Sequence, residues 1–242
     1  MNIEPQSQST VPVWDLPSRI FHWVNLFLVL LLLFVGFIML FKPELGITGL
    51  AAKIKLKELH IIIGYGFTIN LSLRICWGFM GNKFARWSAL SLKKGEVKDY
   101  VKMMNHPDAP QYLGHNPLGK VMIIFILLTL SIIALTGLIR AGTDVYYPPF
   151  GGMTQQFIAQ ENTEPSSIKP YDKTGVDETK AALLSPYKKL AGIIHLYSVY
   201  FLMLLIFLHV LGVIWAEITH QPGIVSAMIS GNKSIKLTDK SR

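Results

Sequence analysis

Charge is what this sequence has least of. Asp, Glu, Lys and Arg make up 16% of its 242 residues, against about 25% in an average soluble domain, and hydrophobic residues reach 51%. The shortage argues against a soluble domain before any motif is read. Cysteine is nearly absent. Cys76 stands alone inside an apolar run, so the chain makes no intrachain disulfide, cannot ligate an iron–sulfur cluster by cysteine and lacks the Cys-x-x-Cys-His attachment of a c-type haem. A redox centre held here is therefore expected to be bound non-covalently. There is no Gly-rich dinucleotide fingerprint in strand–helix context, no Walker-type loop, no internal repeat and no low-complexity tract. Residues 1–19, with Trp14, Asp15 and prolines, do not read as a signal peptide, and the apolar run that follows is too long for one.

What the sequence does have is apolar length. Crossing a bilayer takes roughly 20 apolar residues in a helix, and four stretches qualify: about 20–40, 59–80, 118–139 and 190–215. Pro17-Ser18 opens the first, Gly81-Asn82 closes the second and Asn116-Pro117 opens the third. The expected fold class is all-α, an integral membrane four-helix bundle formed by residues 1–242 as one domain. The formal net charge of +8 fits loops facing an anionic leaflet, and the Lys and Arg lie between apolar runs instead of forming the one-sided surface of a nucleic-acid binder. Lys83, Arg86, Lys93, Lys94, Lys98 and Lys102 crowd the second connection, and Lys233, Lys236, Lys240 and Arg242 the tail. Positive charge favours the cytoplasm, so both termini and the second loop are expected there. The bias is modest, because the short basic loop 41–58 carries Lys42, Lys53, Lys55 and Lys57. The long third connection, 140–189, is then outside. Its Tyr146-Tyr147-Pro148-Pro149-Phe150-Gly151-Gly152 run reads either as a stiff surface turn or as a partner-docking surface.

Seven histidines are present. His106, His115 and His220 fall in loops, while His22, His60, His195 and His209 fall in spans, where an ionisable side chain is costly without a compensating partner. Because alternate helices run in opposite directions, His22 and His209 share the inner depth, and His60 and His195 the outer depth. His195 and His209 are fourteen residues apart, a rise of about 21 Å and nearly four whole turns, so both face one way. One helix thus offers an axial ligand to each of two stacked haems, with both axial positions of each iron filled. Gly36 lies fourteen residues after His22, and Gly64 one turn after His60, where each makes room for a macrocycle. Arg74 lies fourteen residues after His60 and suits a propionate, as do Arg19 and Arg140 at the opposite faces. Taken singly, each of these residues has a plainer reading: a hydrogen-bonded packing histidine, a helix-contact glycine, a snorkelling arginine. As a set they match in depth, pairing and face, which points to haem ligation. Arg19, Arg74 and His115 converge at the inner level, where a lipid-soluble quinone is expected to bind and where His115 would exchange a proton with it.

The run Val13-Trp14-Asp15-Leu16-Pro17-Ser18-Arg19-Ile20-Phe21-His22-Trp23 resembles the opening motif of the bacterial membrane b-type cytochromes, the family of the cytochrome b subunits of nickel–iron hydrogenases and formate dehydrogenases. Arg74-Ile75-Cys76-Trp77-Gly78 resembles that family's second-span ending, Gly114-His115-Asn116-Pro117-Leu118-Gly119 its third-span opening, and the His195/His209 pair its fourth span. The resemblance covers about residues 11–220. It implies two haems b per chain, ligated by His22, His60, His195 and His209, in an inner-membrane subunit that passes electrons between quinone and a periplasmic redox partner. That partner is a multihaem cytochrome c, a hydrogenase or a dehydrogenase, and a homo-oligomer is left open. The chain would then be an electron-transfer subunit of a respiratory complex with no substrate chemistry beyond quinone redox. A haem-free membrane anchor and a histidine-using transporter are the competing classes. An anchor has no need of matched histidine pairs, and a transporter is expected to carry polar breaks at the midplane, which is apolar here.

Overall fold

The computed structural model describes residues 8–104, 106, 110–219 and 221–236. His220 and the tail charges Lys240 and Arg242 lie outside the described residues. The chain order is β1 (Gln8–Pro12), α1 (Leu16–Leu40), α2 (Leu50–Met80), a 3-10 turn (Trp87–Leu90), α3 (Glu96–Met103), α4 (Pro117–Val145), α5 (Gly151–Ile158), a second 3-10 turn (Pro165–Ser167), α6 (Glu178–Thr219), α7 (Ile224–Ser230) and β2 (Asn232–Lys236). Among the described residues α1, α2, α4 and α6 are long and apolar enough to cross a membrane. Each carries exposed apolar side chains, among them Phe34, Phe79, Phe125 and Phe207, of the kind that face lipid.

The four apolar runs lie within these helices, but the helices are longer. The basic loop expected at 41–58 shrinks to 41–49, because Ala51-Ala52-Lys53-Ile54-Lys55-Leu56-Lys57-Glu58 is made of helix formers and continues α2 outward. The connection expected at 140–189 is largely folded. α4 runs on to Val145, and α6 starts at Glu178, where the Asp177 carboxylate accepts from the Thr179 and Lys180 amides at 2.9 and 3.1 Å. Between them Ile158, Ala159 and Ile168 are buried against Tyr146, Val176, Ala181 and Leu184.

The contacts group into two compact units, and each long helix contributes residues to both. The first comprises residues 1–23, 72–127 and 203–242. In it β1 and β2 pair antiparallel, Thr10 opposite Ser234. Asp15 organises the start of α1. Its Oδ1 caps the helix by accepting from the Ser18 amide at 3.1 Å, and its Oδ2 accepts from the Trp77 indole and the Asn82 amide, both at 3.1 Å. Asn82 in turn donates to the Val13 carbonyl at 2.8 Å. α4 is opened by Asn116, whose Oδ1 accepts from the Gly119 amide at 2.7 Å, with Pro117 as the first helical residue. The second unit comprises residues 24–71 and 128–202.

Burial alone would raise the Asp15 carboxyl pKa, but hydrogen bonds from Ser18, Asn82 and Trp77 hold it below the ordinary value. Its stabilising effect is therefore present above the unfolded-state pKa and fades as pH falls through the lower folded one. Asp15→Ala removes a helix cap and two hydrogen bonds to a charged acceptor, a loss of about 2 kcal/mol or more. Asp15→Asn, which can still cap, is expected to lose less. Denaturant unfolding in micelles at neutral pH checks both, and a change below about 0.5 kcal/mol for Asp15→Ala would remove Asp15 from this role.

Candidate functional site

In the second unit α2 brings His60 and α6 brings His195 to face each other. Their ring centroids are 6.4 Å apart and their planes are inclined at 72°. A metal–imidazole bond is about 2 Å, so two imidazoles on opposite sides of one metal place their ring centres about 6 Å apart. The observed gap fits a single iron between them. The two rings are differently supported. Thr136 on α4 donates its one hydroxyl proton to the Ile132 carbonyl at 2.7 Å, and its Oγ1 lies 3.0 Å from His195 Nδ1. With that proton committed, His195 Nδ1 is the donor, and Nε2 keeps its lone pair free for a metal. His60 Nδ1 is buried with no hydrogen-bond partner, so the reading of His60 as a hydrogen-bonded packing residue has nothing to rest on at this atom.

Glycines back both rings. A Cβ on Gly36 would meet His60 Cε1 at 3.7 Å, and a Cβ on Gly137 would meet His195 Cε1 at 3.3 Å. A Cβ on Gly64, one turn beyond His60, would meet nothing within 4 Å. Arg140 donates to Asp144 at 2.9 Å, and its guanidinium lies over Gly192 on α6.

The first unit holds the other pair. His22 on α1 and His209 on α6 lie within electrostatic reach of each other. His115, just before α4, packs against Trp14 with ring centroids 4.6 Å apart, and its Nδ1 is buried without a partner. Burial first, then the charges of Arg74, His209, Lys233 and Lys120, push the His115 imidazole pKa down to about 3, so it is neutral near neutral pH. Arg74 stacks beside Trp87 at 5.9 Å, reaches the Ala85 carbonyl at 3.4 Å with NH2, and leaves NH1 buried without a partner. Arg19 donates to the Ile229 carbonyl, while its Nε is likewise buried and unpartnered. Two arginines with unsatisfied buried donors call for an anionic acceptor.

The residues singled out from the sequence thus fall into two groups: His60, His195, Gly36, Gly64 and Arg140 in the second unit, and His22, His209, Arg19, Arg74 and His115 in the first. Sequence reading missed Thr136, which contacts His195, Gly137, where any side chain would press on the His195 ring, and Asp144, which holds Arg140. Thr136 and Gly137 sit in an apolar run without a motif, but their place one turn before Arg140 is a usable signal.

The donor set suits haem. Among the described residues no three His, Cys, Asp or Glu side chains converge as a metal site. Two imidazoles under-fill the shell of a bare ion, yet they would suffice for an iron already held by a macrocycle. When bound, haem supplies a one-electron centre. His60 and His195 would hold it, Thr136 would orient the His195 imidazole, and Arg140 would offer its guanidinium to the haem carboxylates.

The family model described as prokaryotic cytochrome b561 matches residues 13–231. The chain is 28% identical to a probable Ni/Fe-hydrogenase B-type cytochrome subunit of Rhizobium leguminosarum bv. viciae, over 97% of this chain and 92% of that protein. It is 24% identical to a protein of the same description from Cupriavidus necator, over 93% and 87%. With a probable Ni/Fe-hydrogenase 1 B-type cytochrome subunit of Escherichia coli K12 it shares 26% identity, over 48% and 57%. No solved structure matches significantly. The four apolar helices, the apposed histidines and the match over residues 13–231 agree: the chain belongs to the prokaryotic cytochrome b561 family, all-α multi-pass membrane cytochromes of b type that bind haem b and carry electrons.

Proposed function

We propose that this cytochrome holds two haems b, one between His60 and His195 and one between His22 and His209, and passes electrons between the quinone pool and a periplasmic redox partner. The 6.4 Å apposition of His60 and His195 carries the reading. With both axial positions filled by imidazole no open coordination site is left for substrate chemistry, which suits a relay and not an oxygenase or hydrolase. The relatives described as probable Ni/Fe-hydrogenase B-type cytochrome subunits make a hydrogenase the favoured partner. The prokaryotic family supports a bacterial inner-membrane location, and the distribution of Lys and Arg supports an orientation with both termini cytoplasmic. By sequence position His22 and His209 are then nearer the cytoplasmic face. Arg74, with its unsatisfied buried NH1, and the neutral His115 supply hydrogen-bond donors for a quinone or a propionate there. Since His115 is neutral, its part is to hydrogen-bond to bound quinone, and protons come from water at the membrane face.

His60→Ala and His195→Ala should each deplete the same haem, and His22→Ala and His209→Ala the other, read by redox-titrated visible spectra at constant folded yield. Depletion of one haem by both His22→Ala and His60→Ala would overturn the pairing. Gly64→Leu sharpens the test: its Cβ meets no protein atom within 4 Å, so selective loss of the His60/His195 haem reports a cofactor in that space, and full retention takes Gly64 out of the site.

For the quinone site, Arg74→Ala and His115→Ala should slow quinol-linked haem reduction in membranes by about tenfold or more. Unchanged kinetics in both, with haem content intact, would move the quinone site away from these residues.

A further inference from the structure

The second unit contains an ion cluster that the electron-transfer reading does not use. Asp144, on the last turns of α4, has a side chain only 5% exposed. Its Oδ2 accepts from Lys57 Nζ at 2.8 Å and from Arg140 NH2 at 2.9 Å. Lys188 Nζ pairs with Oδ1 at 2.9 Å and gives its hydrogen bond to the Thr143 carbonyl at 3.3 Å. Lys57 also donates to the Tyr171 hydroxyl. A carboxylate so enclosed must be paired, and here three cations surround one anion, a net of +2.

The cluster joins the helices that form the histidine site, on the faces that form it. Lys57 precedes His60 by three residues on α2. Arg140 follows Thr136 by four and Gly137 by three on α4. Lys188 precedes His195 by seven, two turns, on α6. Arg140 also lies against Gly192, three residues before His195; a Cβ there would stand 3.0 Å from its NH1. One carboxylate thereby bridges three helices just beyond the histidine pair, with Arg140 against α6 near His195.

We propose that Asp144 is a positioning residue for the haem between His60 and His195: by clamping Lys57, Arg140 and Lys188 it sets the histidine apposition and holds the cluster's surplus positive charge next to that haem. The inference rests on the reading of His60 and His195 as its ligands. It gives Arg140 two tasks, pairing with Asp144 and facing the anionic edge of the cofactor. Surplus positive charge beside a haem favours the reduced state, which carries one electron more.

The test uses the full chain in detergent, with Asp144→Asn, Asp144→Glu, Arg140→Gln and, in parallel, His60→Ala. Haem content, the low-spin ferric EPR signal of each haem and each midpoint potential are measured. Asp144→Asn is expected to weaken haem retention at this site on the order of tenfold and to broaden its EPR signal, leaving the other haem unchanged, while Asp144→Glu restores both. Arg140→Gln, which leaves Asp144 paired with Lys57 and Lys188, is expected to lower the midpoint potential of this haem alone; it serves where Asp144→Asn does not fold. Three results would overturn the proposal: a potential shift in Asp144→Asn with unchanged EPR and content, equal damage to both haems, or an unmoved potential in Arg140→Gln. If His60→Ala removes no haem, the ligand reading itself fails, and that outcome is distinct from the other three.

Discussion

An imidazole placed in an apolar membrane helix loses its water and must recover hydrogen bonds or ligation from the protein around it. Four of them in one chain impose a heavy constraint, and much of the structure is arranged to meet it. His60 and His195 sit at the separation that one metal between them requires. Thr136 Oγ1 accepts a hydrogen bond from His195 Nδ1. Gly36 and Gly137 are the residues against the ring edges, where a larger side chain would compete for the same volume. Without a shared ligand these rings would be poorly compensated groups in an apolar interior; with one, their separation is the useful property of the fold.

Polar clamps near the helix ends hold this arrangement in register. In the first unit Asp15 ties the start of α1 to Trp77 and Asn82 at the end of α2. In the second, Asp144 gathers cations from α2, α4 and α6. Glu217 does a related task on a smaller scale, its carboxylate accepting from the amides of Gly223, Ile224 and Val225 to start α7. Apolar faces that look toward lipid give little rotational preference, since a Leu is equally content on any side of such a helix. Buried carboxylates do discriminate, because only one rotation reaches all their partners.

Much of this was legible in the sequence because it was written in spacing. The histidines announced themselves by residue type in apolar surroundings, and the fourteen-residue offsets of Gly36 and Arg74 placed both on inward faces. The family followed from the motif around His22. Helix ends were less legible, since hydropathy marks where lipid ends and not where a helix ends: residues 50–58 are charged yet helical, and Glu178–Lys189 extends α6 well ahead of its apolar stretch. Thr136 and Gly137 were faint, marked only by their place one turn before Arg140, because neither is unusual in a membrane helix and their value depends on a ring contributed from α6. Asp144 read as a loop charge because its three partners come from three helices and all three fell in stretches assigned to loops.

In the proposed reading two pairs of histidines each hold one haem through both axial positions. Low-temperature EPR of the oxidised, purified protein, with haem and protein quantified on the same sample, tests it most directly. Two low-spin ferric signals and two haems per chain are expected, all of the haem extractable by acidified organic solvent. A single haem per chain, or a dominant high-spin signal from an iron with an open axial position, would contradict it.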